Sequence, residues 1–512
     1  MLAIYVTMFI TSLDKTIIAT AIPWITNEFH SLSDIGWYGS SYMLTLCAFQ
    51  LLWGRIYTFY PPKATFIVAI IIFEVGSALC GAAPSSTSFI VGRAIAGLGS
   101  AGISNGAIIV MMALVPLEKR PMFQGLIGAV FGVASVVGPL LGGAFTQHVS
   151  WRWCFYLNLP FGGVSIAILI LVLKIPPKPK EEPVPLAQQF RKLDPLGTIC
   201  FLPSVVCLLL ALQWGGTTYA WWNWRIILLL VLFGVLIVAF MAIQVFMPET
   251  ATLPLRVLKM RTVAASFLYS TAAGSSMLVL AYYIPLFFQA IKNFSPLDSG
   301  YATIPFILSL VIGTILAGGL VQRIGYPAPF MILSTILASV GAGIISTWPV
   351  SVGSSKWIGY QFLFGFGLGI GMQGPMLCAQ IVLAKRDGPI GVSLMMFGQN
   401  LGGAIFLAVA QSVFTDSLAS QLTKIPEIHL SKKEIVELGA TSIRSLVPEN
   451  MLGVLLEGYR IAMRNVFYVA VALICTSLIG AVSVEWKSTK TGHRPGAGDT
   501  QATKDSEEKA SA

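Results

Sequence analysis

Apolar runs of about 20 residues recur from one end of the chain to the other, and no other feature restricts its fold so strongly. A helix rises about 1.5 Å per residue, so about 20 apolar residues cross a hydrocarbon core about 30 Å thick. Windows bounded by Pro, Gly or charge place spans near 1–23, 37–57, 64–83, 88–112, 122–145, 155–175, 195–214, 225–247, 263–289, 300–321, 328–347, 357–383, 391–415 and 465–485. These windows predict an all-α membrane protein with fourteen transmembrane helices. Composition agrees: 55% of the 512 residues are apolar and 11% charged, where soluble proteins carry roughly 25% charged residues.

The net charge of +10 does not point to nucleic acid, because the bases are dispersed in short loops between apolar runs. With the N-terminus cytoplasmic, the inner loops hold Arg55, Lys63, Lys119, Arg120, Lys174, Lys178, Lys180, Arg191, Lys192, Arg256, Lys259, Arg261, Arg323, Lys385 and Arg386. The short outer loops hold Arg152, Arg225, Lys292 and Lys356. Positive loops stay inside, which fixes the orientation. Ala19-Thr20-Ala21 resembles a signal-peptide cleavage site, but no basic stretch precedes it and Asp14 interrupts the apolar run, so a first span is the better reading. The seven cysteines show neither paired loop spacing nor a CxxC motif and read as small apolar residues.

The stretch PPKPKEEPVPLAQQFRKLDP is too rich in Pro and charge to span. It closes a first six-helix bundle, 1–175, and supplies a cytoplasmic linker at 176–194. Two extra helices then occupy 195–262, and a second six-helix bundle occupies 263–486. That second bundle carries a long outer loop at 416–464, and residues 487–512 read as a disordered tail. A weak repeat supports two bundles. Gly54-Arg55 after span two is matched 264 residues on by Gly318-Gly319 with Arg323, and Gly138-Pro139-Leu140-Leu141-Gly142-Gly143 is matched 260 residues on by Gly398-Gln399-Asn400-Leu401-Gly402-Gly403. Duplicated bundles around a midplane site are common among secondary transporters.

Charge at bilayer depth costs about 2.5–3.5 kcal/mol on insertion scales. Only Asp14, Glu74, Lys15 and Arg93 lie well inside predicted spans. Asp14 and Arg93 both fall in the outer half of the membrane, so a pairing is geometrically open, either as a fixed ion pair or as a carboxylate that exchanges a proton. Glu74 is a second candidate for that carboxylate, or a protonated partner of a neighbouring helix. Lys15 lies about 100° around the helix from Asp14 and reads as a snorkelling side chain. Gly97, Gly138, Gly142 and Gly143 suit close helix packing, and Pro139 permits a bend. Gln289, Gln373, Gln399 and Asn400, with Tyr282, Tyr283, Phe287 and Phe288, suggest a cavity for a bulky, partly apolar solute. With no GxxxxGK[ST] stretch in the sequence, uphill transport would draw on an ion gradient. No cofactor or metal site is expected.

Taken in order, these motifs resemble the major facilitator superfamily and, within it, the fourteen-span drug:proton antiporters of the fungal toxin and multidrug efflux type. Leu13 to Pro23 resembles the first-helix motif, Arg93 and Gly97 the fourth-helix RxxxG motif, and Gly138 to Gly143 the fifth-helix antiporter motif. Trp151-Arg152-Trp153-Cys154-Phe155-Tyr156-Leu157-Asn158-Leu159-Pro160 and Leu253-Pro254-Leu255-Arg256 look like the same subfamily. GRIYTFYPPK, residues 54–63, departs from the superfamily loop: Thr58 stands where Asp is usual and Phe59 where Arg is. The resemblance implies two six-helix bundles plus a two-helix insertion, a cytoplasmic gate around Gly54, Arg55 and Arg323, and proton coupling through Asp14, Arg93 or Glu74. It further implies export of a small amphipathic molecule, a toxin, secondary metabolite or drug, by proton antiport in the cell membrane. Uptake or vacuolar storage of a nutrient, and a non-transporting membrane sensor, are the alternatives.

Overall fold

The computed structural model describes residues 1–31, 34–174, 193–216, 218–248, 250–422 and 452–490. Among the described residues the chain is helical, with one isolated bridge between Gly215 and Tyr219. In order, the helices are α1 (Leu2–Phe29), α2 (Ile35–Phe59), α3 (Pro62–Gly81), α4 (Ser86–Leu114), α5 (Arg120–His148), α6 (Trp153–Tyr156) and α7 (Asn158–Val172). Next come α8 (Pro195–Trp214), α9 (Trp224–Phe246), α10 (Leu255–Leu258), α11 (Arg261–Ala290), α12 (Pro296–Ala302) and α13 (Ile304–Ile324). The last are α14 (Ala328–Ile345), α15 (Ser354–Gly371), α16 (Gly374–Val382), α17 (Gly388–Leu422) and α18 (Leu452–Ser483).

Counting α6–α7, α12–α13 and α15–α16 as one broken span each, thirteen segments among the described residues are long and apolar enough to cross a bilayer. The chain is therefore a multi-pass membrane protein. Helix α2, 25 residues long, falls outside that set. Its sequence explains why, since Ser40, Ser41, Thr45, Gln50, Arg55 and Thr58 dilute its apolar content. These side chains face protein rather than lipid: Ser41, Gln50 and Arg55 are all buried.

The helix pairs of the first seven elements recur in the last eight. Helix α4 packs on α2 and α3, while α1 packs on α5 and α7; correspondingly, α15 packs on α13 and α14, and α11 on α17 and α18. Between these sets, α8 pairs with α9 and touches both α2 and α17, whereas α9 turns most of its apolar surface outward.

Lipid tails are as apolar as leucine, so these helices are held by close approach rather than by the hydrophobic effect. At the α3–α4 contact a Cβ on Gly76 would stand 2.3 Å from the Ala96 backbone nitrogen, and one on Gly99 would stand 2.4 Å from that of Phe73. Neither obstruction is a movable side chain. Gly76→Leu is accordingly expected to cost about 3 kcal/mol by forcing the helices apart. Denaturant titration of the detergent-solubilised protein checks this, and a wild-type midpoint would refute it.

Two helices are longer than hydropathy suggests. Helix α17 runs on to Leu422 and α18 begins at Leu452, so 416–422 and 452–464, expected in a long outer loop, are helical. The apolar window ends there because one face turns polar, with Asp416, Glu457 and Arg460, while Leu418, Leu422, Leu455, Tyr459 and Met463 keep the inner face buried. The middle of that expected loop, 423–451, lies outside the described residues, as do 175–192 of the linker and 491–512 of the tail.

Candidate functional site

Asp14 and Arg93 meet inside the first set of helices. Arg93 Nη1 donates to Asp14 Oδ2 at 2.6 Å, with relative exposures of 1% and 0% for the two residues. Two charges taken out of water need further hydrogen bonds to offset desolvation, and both find them. Arg93 Nε donates to the Tyr38 carbonyl at 3.1 Å, and its guanidinium lies 4.4 Å from the centre of the Tyr42 ring. Asp14 Oδ1 accepts from Asn158 Nδ2 at 3.3 Å, and the same nitrogen donates to Ser77 Oγ at 3.1 Å.

The four-residue spacing of Arg93 and Gly97 now has a physical account. Residues four apart share a helix face, and a Cβ on Gly97 would stand 2.2 Å from the Tyr42 carbonyl oxygen. The glycine lets α4 approach α2 closely enough for Arg93 to reach Tyr38 and Tyr42. Gly138 and Gly142 do the same between α5 and α1, where a Cβ would stand 2.1 Å from Thr16 Oγ1 and Thr20 Oγ1 respectively. Pro139 between them has no N–H to offer the Ser135 carbonyl. Gly143 faces open space.

Lys15 makes no ion pair with Asp14 among the described residues, but its Nζ turns inward, 6.0 Å from the Tyr42 ring centre, within the electrostatic reach of Asp14 and Arg93 rather than snorkelling to the interface. Glu74 stands elsewhere on the same interior, one turn before Ser77 on α3. Both its carboxyl oxygens are buried with no hydrogen-bond partner among the described residues. The side chain occupies the notch left by Gly162 of α7, where a Cβ would fall 1.9 Å from Glu74 Oε1.

The basic end of the molecule is sealed by contacts between the two sets of helices. A Cβ on Gly54 would stand 2.0 Å from Ser393 Oγ, and one on Gly318 would stand 2.7 Å from the Pro121 carbonyl. Arg120 Nη1 donates to Gln380 Oε1 at 3.3 Å. Arg55 is 5% exposed, with its guanidinium 4.7 Å from the Phe59 ring centre. The acids acting on it are Asp194 and Asp387, opposed by Arg256 and Arg386. Asp194 caps α8 through the Gly197 N–H at 2.8 Å and also accepts from Gln244, Thr252 N and Thr252 Oγ1. Asp387 accepts from Arg256 Nη2 at 2.8 Å. The acid absent from the loop at Thr58 thus has counterparts at the start of α8 and in the turn before α17. Arg323 is exposed at the end of α13 and does not share this burial.

The four candidate cavity residues do not converge. Gln399 joins Tyr269, Met277, Leu368, Met372 and Pro375 around a small, mainly apolar cleft half-way along α11. Gln373 lines a second cleft nearer the basic end, with Thr314, Gly318 and Phe330. Gln289 is engaged locally, donating to Ser299 Oγ at 2.8 Å, and Asn400 is half-buried beside Gln399. Asn158, Asp194 and Asp387 escaped the sequence reading. Asn158 is an amide within an apolar run, and Asp194-Pro195 has the form of a helix start, so a signal existed for both.

A model of the family described as Major Facilitator Superfamily matches residues 4–407. The chain belongs to this superfamily. Among superfamily relatives, the efflux pump aflT of Aspergillus parasiticus is 48% identical over 96% of this chain and 95% of its own length. The rubrofusarin-specific efflux pump aurT of Gibberella zeae is 48% identical over 95% of this chain and 88% of its own length. The MFS-type efflux pump MFS1 of Trichophyton rubrum is 49% identical over 94% of this chain and 90% of its own length. Two solved superfamily structures share the fold at 13% identity: the human organic anion transporter MFSD10 and the proton:xylose symporter XylE. Each has a TM-score of 0.58, over 92% and 96% of this chain and 98% and 96% of the other.

Proposed function

We propose that this chain is an efflux transporter that exchanges inward-moving protons for an outward-moving amphipathic organic molecule, a secondary metabolite, toxin or drug, across the cell membrane by alternating access. Near-half identity along almost the whole chain to efflux pumps supports export. The fully buried Asp14–Arg93 pair carries the mechanism, because it sets a titratable carboxyl inside a membrane helix. In this reading α2 is a fourteenth span, residues 1–175 and 263–486 are the two moving bundles, 176–194 links them and 195–262 is the inserted pair. Asp14 carries the proton, Arg93 holds its charged form and Glu74 is a second proton site. Gly97, Gly138 and Gly142 serve packing and Pro139 bending, while Gly143, facing open space, has no packing role; Gly54, Arg55 and Arg323 serve the cytoplasmic gate, and Gln373 and Gln399 face the cargo path with Gln289 and Asn400 on its margins.

Protonation of Asp14 from outside removes the charge that Arg93 neutralises, so the attraction across α1 and α4 weakens and the bundles are released to rock. Release of the proton inside restores the pair. Everted vesicles test this directly. An acidic lumen is expected to drive accumulation of a fluorescent amphipathic substrate, and a protonophore to collapse it. Flux indifferent to the gradient refutes antiport, and accumulation only in right-side-out vesicles refutes export.

A further inference from the structure

Asn158 opens α7 fully buried, between α1 and α3. Its Nδ2 donates to Asp14 Oδ1 at 3.3 Å and to Ser77 Oγ at 3.1 Å, while its Oδ1 meets no donor among the described residues. Buried amides ordinarily pair at both ends, so one that leaves its acceptor unpaired is held in place for its donors. The opposite orientation would turn Oδ1 onto the carboxylate, acceptor against acceptor. Asp14 is therefore shared, with Oδ2 bonded by Arg93 and Oδ1 by Asn158, and Ser77 anchors the amide from α3.

We infer that Asn158 is a positioning residue for proton exchange at Asp14. It holds the carboxyl in the rotamer that meets Arg93 by donating to Oδ1 while Arg93 bonds Oδ2. The exchange aspect rests on the antiport reading above. In the step itself a hydronium O–H bond breaks outside as an Asp14 O–H bond forms, and the same proton later passes to water inside. The other ionisable groups acting around Asp14 are Arg93 of α4, Lys15 of α1, Tyr42 of α2, Glu74 and Cys80 of α3, and Cys154 of α6.

Infrared titration of the purified protein in nanodiscs reads this directly, with the Asp14 carboxylic-acid band identified as the one missing from Asp14→Asn. Losing one hydrogen bond to a charged group is expected to move the midpoint of that band up by about one pH unit in Asn158→Leu. The pH profile of gradient-driven flux should move with it. Ser77→Ala, which frees the amide without touching Asp14, should shift the band in the same direction by less, and it serves if Asn158→Leu does not fold. Midpoints equal to wild type in the variants that fold overturn the assignment. A shifted band in a protein whose wild-type flux ignores the gradient upholds the positioning of Asp14 and refutes the antiport reading instead.

Discussion

Arg93→Leu is expected to abolish gradient-driven transport and to cost about 3–5 kcal/mol of stability, since it leaves a fully buried carboxylate without its cation. Asp14 would keep only the 3.3 Å bond from Asn158. Asp14→Asn should be milder in stability, because Arg93 retains the Tyr38 carbonyl and the Tyr42 ring, yet equally inactive in coupling. The double variant Asp14→Leu/Arg93→Leu separates the two effects. Removing both charges should restore thermal stability to near the wild-type value, as replacing a whole buried pair often does, while coupled transport stays lost. Size-exclusion melting curves and vesicle flux measure the two quantities. A double variant as unstable as Arg93→Leu would show that the instability does not come from an uncompensated Asp14 charge, and coupled flux in either single variant would remove Asp14 and Arg93 from the mechanism.

Gly54→Leu is expected to lower transport by about 10- to 100-fold without unfolding the protein. In the present conformation its Cβ would overlap Ser393, 2.0 Å from Oγ and 2.6 Å from Cβ, with the Pro389 carbonyl 3.3 Å away. These groups belong to the other half of the molecule, so the bulk is accommodated only when the basic end parts. Overpacking a tight contact costs about 1–3 kcal/mol, which moves a two-state balance by about 5- to 150-fold. A cysteine at Thr314, buried at the α5–α13 contact, should then be labelled by an impermeant reagent in everted vesicles when residue 54 is leucine and spared when it is glycine. Ser393→Gly should partly relieve the block. Equal labelling with wild-type flux would show that Gly54 does not gate.

Most of the helices were legible because long apolar windows are set by the bilayer itself. Legibility failed where burial is against protein rather than lipid. The inner faces of 416–422 and 452–464 carry leucine, tyrosine and methionine among charges, a pattern that an average over all sides of a helix erases. Helix α2 shows the same effect, its serines, glutamine and arginine hidden within the molecule. At the site, Asp14 and Arg93 were legible because a charge at membrane depth demands a partner. Asn158 was not singled out, because a neutral amide costs less to bury and stands out less. Asp194 and Asp387 were missed for another reason. Arg55, whose charge they act on, is distant in sequence, and the loop between α2 and α3 drew attention to the charges it lacks rather than to those brought from elsewhere.

The two contacts that close the basic end, α2 with α17 and α5 with α13, are one contact made twice, since α13 occupies in the second set of helices the place of α2 in the first, and α17 that of α5. In the rocking motion proposed above, a rotation that parts one contact parts its twin, like a double-leafed door on a shared spindle, so loosening one leaf alone is expected to alter the latching of both.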